Sequence, residues 1–274
     1  MPELPEVETL KRSLEKHIVG HKIISLIKRR TSLRSSLDPN LNEKTINSII
    51  NNVRRIAKYL IIELNNNNSI IFHLGMTGRL TFRKDTYDLQ KHDHIVLVLE
   101  SGNLLVFNDS RRFGMIYVSA THDLESQKYL KNLGPEPFSE HFNVKYLKEC
   151  FKNSKVPVKS AIMDNKIVVG VGNIYASESL FLSKINPSTP VQNLTKDEIL
   201  RLIQSIIFVL NEAIKAGGTT LKDFVNGDNK PGYFKQDLKV YDRKNAACYS
   251  CGGAIVKIVQ SGRATYLCPT CQKL

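Results

Sequence analysis

The tail of the chain carries the strongest constraint on what it can fold into. Cys248-x2-Cys251-x16-Cys268-x2-Cys271 sets two CxxC steps a short segment apart. Each step forms a knuckle that turns two thiolates toward one point. Two knuckles supply the four sulfurs of a tetrahedral zinc site. A closed four-thiolate set leaves no open coordination position, so one structural Zn2+ is expected and no zinc-borne chemistry. Residues 254–259 and 265–267 make the hairpin between the knuckles, with Gln260-Ser261-Gly262-Arg263 at its tip. Zinc binding of roughly 10–16 kcal/mol is enough to order so short a segment. Residues 238–274 hold six Lys/Arg against one acidic residue. Arg263 is therefore either presented to phosphate or simply solvated.

The whole chain shares that bias. It has 274 residues, 39 Lys+Arg against 26 Asp+Glu, a net charge of +13 and pI ≈ 9.5. A polyanionic partner, most simply nucleic acid, is the natural complement. No apolar run approaches the ~20 residues of a membrane span. The acidic, proline-broken start resembles neither a signal nor a transit peptide. With four of five cysteines in the two CxxC steps and Cys150 alone, the pattern suits a reducing compartment and a metal site, not a disulfide scaffold. A cytoplasmic protein without membrane contact is expected.

The first eight residues, Met1-Pro2-Glu3-Leu4-Pro5-Glu6-Val7-Glu8, admit two readings. One is a Pro/Glu helix start. The other is chemical: after loss of Met1, Pro2 carries a free secondary amine next to the carboxyl of Glu3. An α-amine titrates near pH ~7.7–8.0, so part of it is unprotonated at neutral pH. Attack on a sugar C1′ gives an iminium, whose fixed charge acidifies the neighbouring C–H bond. Val7, Leu10, Leu14 and Ile18 recur at helical spacing and Gly20 ends the run, so the helix holds this terminus in place.

From about residue 22 to 118 the pattern changes to short apolar runs with turn signals at 65–68 and 100–103. This predicts an antiparallel sandwich or barrel. One continuous strand over 54–64 would place Lys58 on the face of Ile56, Leu60 and Ile62, either snorkelling at an edge or aimed into a cleft. Two loops stand out. His73-Leu74-Gly75-Met76-Thr77-Gly78-Arg79 brackets a Met with glycines. Asn108-Asp109-Ser110-Arg111-Arg112-Phe113-Gly114 sets two arginines beside an aromatic, a combination suited to phosphate contact and insertion into a base stack. Both also read as ordinary turns. Lys91-His92-Asp93-His94 lacks partners at ligand spacing and reads as hydrogen bonding or phosphate contact. Gly134-Pro135-Glu136-Pro137 breaks the chain, and helices follow it: a stripe of Val144, Leu147, Cys150 and Phe151, a glycine-led helix after Gly170-Val171-Gly172-Asn173, and a long helix over 195–216 burying Leu200, Ile203, Ile207, Leu210 and Ile214. Residues 221–237 read as a polar loop.

Together, residues 2–8, His73–Gly78, Ser110–Gly114, Gly170–Glu178 and the cysteine tail resemble the formamidopyrimidine-DNA glycosylases (Fpg), bacterial repair enzymes related to endonuclease VIII. The match runs in order from residue 2 to 273, and Glu-Leu-Pro-Glu is similar to Fpg rather than to endonuclease VIII. The resemblance implies an α+β multidomain fold: an N-terminal helix plus antiparallel β-sandwich over 1–133, a hinge over 134–140, a helix–two-turn–helix domain over 141–237 with a lesion-capping loop at about 217–237, and a zinc-finger β-hairpin over 238–274. Damaged double-stranded DNA is the implied partner of a monomeric, nucleoid-associated enzyme. Implied roles are Pro2 as nucleophile, Glu3 as the acid beside it, and Lys58 as phosphate contact and proton donor in strand cleavage. Met76, Arg111 and Phe113 would fill the void left by a flipped base. His73, Asn173 and Arg263 would clamp phosphate, with Arg263 also counted in the catalytic set. Glu6, His92, Arg112 and Lys159 would lie at the DNA. Ser110 stands where many members have Pro. The implied activity is excision of oxidised purines with β,δ-elimination. An endonuclease VIII-like enzyme for oxidised pyrimidines and a non-enzymatic zinc-ribbon DNA-binding protein are the alternatives.

Overall fold

The computed structural model describes residues 2–219 and 234–274. It divides into two compact units. The first comprises the chain to Lys131 together with 216–219, and the second comprises Asn132–Lys215 and Phe234–Leu274. Most of the expected capping loop, residues 220–233, lies outside the described residues.

In the first unit, helix α1 (Leu4–Ile18) buries Leu4, Val7, Leu10, Leu14 and Ile18, the face set by the 3.6-residue period. Two four-stranded antiparallel sheets follow. One has the order β1 (Ile23–Lys28), β6 (Asp93–Leu99), β7 (Leu104–Asn108), β5 (Arg79–Arg83). The other runs β2 (Ile50–Ile56), β3 (Tyr59–Leu64), β4 (Asn68–His73), β8 (Met115–Ala120). A short helix, α2 (Leu41–Thr45), lies between β1 and β2 in the chain. Both sheets and α1 feed one apolar core, in which Leu60, Ile62 and Phe72 of one sheet meet Leu97, Leu105 and Phe107 of the other. That is a sandwich, with α1 packed on β2, β3 and β5. Glu8 pins the helix to β2 through Arg55 at 3.1 Å. The turn signals at 65–68 and 100–103 do join β3 to β4 and β6 to β7.

The strand expected over 54–64 is instead a hairpin. Ile56 pairs with Tyr59, and Ala57-Lys58 forms the two-residue turn, with Ala57 in the left-handed region at φ 54°. Such turns need positive φ and usually announce themselves with Gly or Asn, so an Ala-Lys turn is silent in sequence. Lys58 is thus a half-buried turn residue at a strand end and does not lie on the strand face.

The second unit holds α3 (Val144–Phe151), α4 (Val158–Ile162), α5 (Asn173–Leu182) and α6 (Lys196–Lys215). Thr195 and Glu198 cap α6 reciprocally: the Thr195 N–H donates to Glu198 Oε2 at 2.8 Å and the Glu198 N–H to Thr195 Oγ1 at 3.2 Å. Of the stripe expected on α6, Ile203, Leu210 and Ile214 are buried and Ile207 is half-buried, but the buried face is wider and leaves Leu200 out. Ile199, Leu202, Ile206 and Val209 are inside, whereas Leu200 is 43% exposed and Phe208 57%. The tail hairpin of β9 (Val256–Gln260) and β10 (Arg263–Leu267) does not stand apart. Val240, Cys248, Ile255, Tyr266 and Cys268 share a core with Phe181 of α5. Among the described residues, no helix is long and apolar enough to cross a membrane.

Candidate active site and nucleic-acid interface

Pro2 is buried, and Glu3 is the N-cap of α1. Glu3 and Glu6 form a reciprocal capping box: the Glu3 side chain accepts from the Glu6 N–H, and Glu6 Oε2 accepts from the Glu3 N–H at 2.7 Å. Both residues are 1% exposed. The box removes the freedom that a terminus ordinarily has. It fixes Glu3, the residue that directly follows the candidate nucleophile, together with its buried carboxyl group.

A cationic corner lies at the β2–β3 turn. Lys58 precedes Tyr59, which pairs with His73 across β3 and β4 and packs against its ring at 4.9 Å. His73 is pushed down to about 4 by burial, then by the positive charges of Lys58 and Arg34. It is therefore neutral at physiological pH. Its Nδ1 accepts the Gly75 N–H at 3.1 Å, which leaves the imidazole proton on Nε2 as a donor. Arg34, which the sequence did not single out, is exposed and its N–H donates to Gly114 O at 3.2 Å.

The two singled-out loops come together. Met76 is 39% exposed and Phe113 41%, and the Arg111 guanidinium lies over the Phe113 ring at 4.6 Å from its centroid. Arg112 is exposed, with φ 57°. Gly75, at φ +65°, admits no side chain, because a Cβ there would sit 2.5 Å from the Phe113 carbonyl. His92 is half-buried with its ring 6.2 Å from that of His94. His94 is buried and bonded to Asp109 O, and among the described residues no metal-binding cluster forms at this stretch.

In the second unit Asn173 opens α5, with Gly172 as its N-cap. Lys159 is 2% exposed and lines the same pocket as Arg263. Its ammonium donates to Asn173 Oδ1 (2.6 Å), Thr265 Oγ1 (2.7 Å) and Ala264 O (3.1 Å), acceptors that satisfy a buried cation's three protons. It acts on Asn173 and on β10 from within. Asn173 Nδ2 in turn donates to Ala264 O at 3.0 Å. Arg263, next to Ala264, is exposed and lines a pocket of about 230 Å³ with Ser160, Met163, Asp164 and Gln260. Glu178 was missed from sequence. It accepts the N–H groups of Lys239, Val240 and Tyr241 at 2.8, 3.0 and 2.8 Å, which places the Tyr241 hydroxyl beside Asn173. Burial raises its pKa against those three donors.

The four cysteine sulfurs lie within 4.8 Å of one another. The Cys251–Cys268 and Cys248–Cys271 separations are 3.4 and 3.9 Å. Zn–S bonds of about 2.3 Å in a tetrahedron need sulfurs ~3.8 Å apart, so the cradle fits. Burial opposes ionisation of Cys248, but the N–H groups of Ser250 and Cys251 and the side chains of Cys268 and Cys251 together outweigh it and bring the thiol to about 7. Burial and the neighbouring sulfurs push Cys271 up to about 12. One thiolate forms readily there, while four together require a dication. The residues hold one structural zinc ion.

Comparison with known proteins agrees with this arrangement. The formamidopyrimidine-DNA glycosylase N-terminal domain matches residues 1–116, the H2TH domain of the same family matches 133–225, and the zinc finger found in FPG and IleRS matches 247–274. The formamidopyrimidine-DNA glycosylase of Rickettsia conorii is 54% identical over 272 residues, covering 99% of both chains. The chain belongs to the formamidopyrimidine-DNA glycosylase family. The Rickettsia bellii glycosylase is likewise 54% identical, over the full length of both chains. Among solved structures, a Lactococcus lactis Fpg variant in complex with a Fapy-dG containing DNA superposes with TM-score 0.93 at 34% identity, covering all of both chains. The Fpg protein of Thermus thermophilus gives 0.89 at 36%, covering 99% of this chain and 98% of that one. The Fpg fold, with its H2TH helices and zinc finger, is therefore this chain's fold.

Proposed function

We propose that this base-excision DNA glycosylase removes oxidised purines, 8-oxoguanine and formamidopyrimidines, and cuts the resulting abasic strand by β,δ-elimination through a Schiff base at Pro2. The observation that carries the reading is the Glu3–Glu6 capping box: it holds a buried carboxyl group immediately after Pro2 and leaves the preceding amine no room to wander. A damaged nucleotide flips from the stack at a cost of a few kcal/mol. Met76, Arg111 and Phe113 fill the space it vacates. With Met1 removed, the Pro2 nitrogen attacks C1′ as the glycosidic bond breaks, and Glu3 assists protonation of sugar or base. The iminium acidifies the C2′ hydrogens, and loss of one expels the 3′ phosphate. A second elimination expels the 5′ phosphate. The turn residue Lys58 is suited to phosphate contact and to proton transfer in these steps. Neutral His73 offers its Nε2–H to phosphate, and Asn173 and Arg263 offer further donors, which together hold the sugar in a reactive orientation. Glu6, His92 and Arg112 lie at the DNA. Lys159 supports Asn173 and β10 from inside the fold.

The zinc ion, held by Cys248, Cys251, Cys268 and Cys271, shapes the hairpin bearing Arg263 and takes no part in the bond changes. The enzyme works as a monomer on damaged duplex DNA in the cytoplasm. Nicking of duplexes carrying 8-oxoguanine, a formamidopyrimidine or thymine glycol tests the substrate class. The two purine lesions should be cut faster. A Lactococcus lactis Fpg has been solved with oxidised-pyrimidine DNA, so preferential cutting of thymine glycol would move this chain to the pyrimidine class. No cutting of any duplex would leave only a DNA-binding protein.

A further inference from the structure

The void-filling side chains sit on two separate loops, and a single buried carboxylate holds both. Asp109 is 0% exposed. Its Oδ1 accepts the Thr77 hydroxyl at 2.5 Å and the Arg111 N–H at 3.3 Å, and its Oδ2 accepts the Gly114 N–H at 2.7 Å. Its own backbone is tied as well, through His94 Nε2 at 2.7 Å and His92 O at 3.0 Å. Thr77 follows Met76 directly, and Arg111 and Gly114 bracket Phe113. The Arg111 N–H also meets Thr77 Oγ1 at 3.2 Å, so hydroxyl, amide and carboxylate close a three-way bridge. The space around the carboxylate is full. A Cβ on Gly114 would approach Asp109 Oδ2 and His73 O, both at 3.1 Å.

Resting on the reading above, we propose that Asp109 is a positioning residue that locks the two loops into one rigid fork, so that Met76 and the Arg111–Phe113 pair enter the duplex as a unit. A buried carboxylate with charge-assisted donors on both loops resists their separation more strongly than neutral contacts would. Two loops moving independently would fill the vacated space one side chain at a time, and the flipped base could return between the two events. Thr77 is the strut of this device and Asp109 the post. Neither touches the reacting atoms.

The test compares substrates that do and do not leave a void. Asp109→Asn removes the charge and one acceptor. Thr77→Val removes the strut at a half-buried position that tolerates the shape, and Thr77→Ser restores the hydroxyl. Excision of 8-oxoguanine from duplex should fall by about ten-fold or more in both Asp109→Asn and Thr77→Val, the effect expected for losing a charge-assisted hydrogen bond. Thr77→Ser should behave as the parent. Borohydride trapping on a single-stranded abasic oligonucleotide, which has no partner base and no void, should stay within about two-fold of the parent in all three. A 2-aminopurine opposite the lesion should lose the fluorescence change that reports void filling. Equal losses on duplex and single strand, or a Thr77→Val variant matching the parent on duplex, would overturn the proposal. A parent protein that traps neither substrate would instead overturn the Pro2 mechanism itself.

Discussion

Glu6 and Thr219 are 213 residues apart in sequence and joined by a hydrogen bond of 2.7 Å, from the Thr219 N–H to Glu6 Oε1. The other oxygen of the same carboxylate holds the Glu3 N–H. One buried side chain thus fixes both the start of α1 and the backbone at Thr219. Gly218 supports the approach: it has φ +83°, and a Cβ there would lie 3.1 Å from Glu6 Oε1.

Glu6→Gln should therefore damage two places at once. The amide retains one carbonyl acceptor and turns an NH2 toward the second N–H donor. Leaving one buried donor unmade costs about 1–3 kcal/mol. Thermal unfolding should shift down by several degrees, and borohydride trapping on an abasic duplex should slow. An unchanged Tm with an unchanged trapping rate would show that the carboxylate does not hold the site.

The depressed pKa of His73 predicts a pH dependence of stability. An unfolded His titrates near ~6.5, whereas the folded one titrates at about 4, through burial and the charges of Lys58 and Arg34. The unfolded state binds the proton first, so stability present above the unfolded pKa is lost as pH falls toward the folded one. The loss is up to about 3 kcal/mol. Urea midpoints between pH 7 and pH 4.5 should fall in the parent, and the slope should flatten in His73→Gln. Parallel slopes would place the acid sensitivity elsewhere.

Removing zinc should unfold the tail and reach further than the tail. Lys159 takes two of its three named acceptors from Ala264 and Thr265 next to the hairpin tip. Loss of β10 would leave a buried ammonium short of partners, which is strongly destabilising. Chelator-stripped protein, or Cys268→Ser, should lose hydrogen-exchange protection in β9 and β10 and also at α4. It should bind duplex DNA poorly. Protection retained at α4 would confine zinc's role to the hairpin.

What the sequence revealed and what it hid divide along physical lines. Coordination by two CxxC steps is local, so Cys248, Cys251, Cys268 and Cys271 were legible from spacing alone. The α1 face was legible from Val7, Leu10, Leu14 and Ile18 because one helix repeats one period. The Ala57-Lys58 turn was hidden because Ala rarely adopts positive φ. The edge strand Arg79–Arg83 was hidden because arginines stand at both its ends. The burial of Lys159 and Asp109 was hidden for a common reason. Charged residues are usually exposed, and part of what satisfies these two when buried is distant in the chain: Thr265 is 106 residues from Lys159 and Thr77 is 32 from Asp109.

Whether the nitrogen of Pro2 performs the chemistry is read out by intact mass and peptide mapping after borohydride reduction of the protein on an abasic duplex. The expected result is a protein lacking Met1, with a stable DNA adduct on residue 2 and no adduct when an N-terminal extension blocks the amine. An adduct on a lysine such as Lys58, or equal trapping by the extended protein, would contradict that role for Pro2.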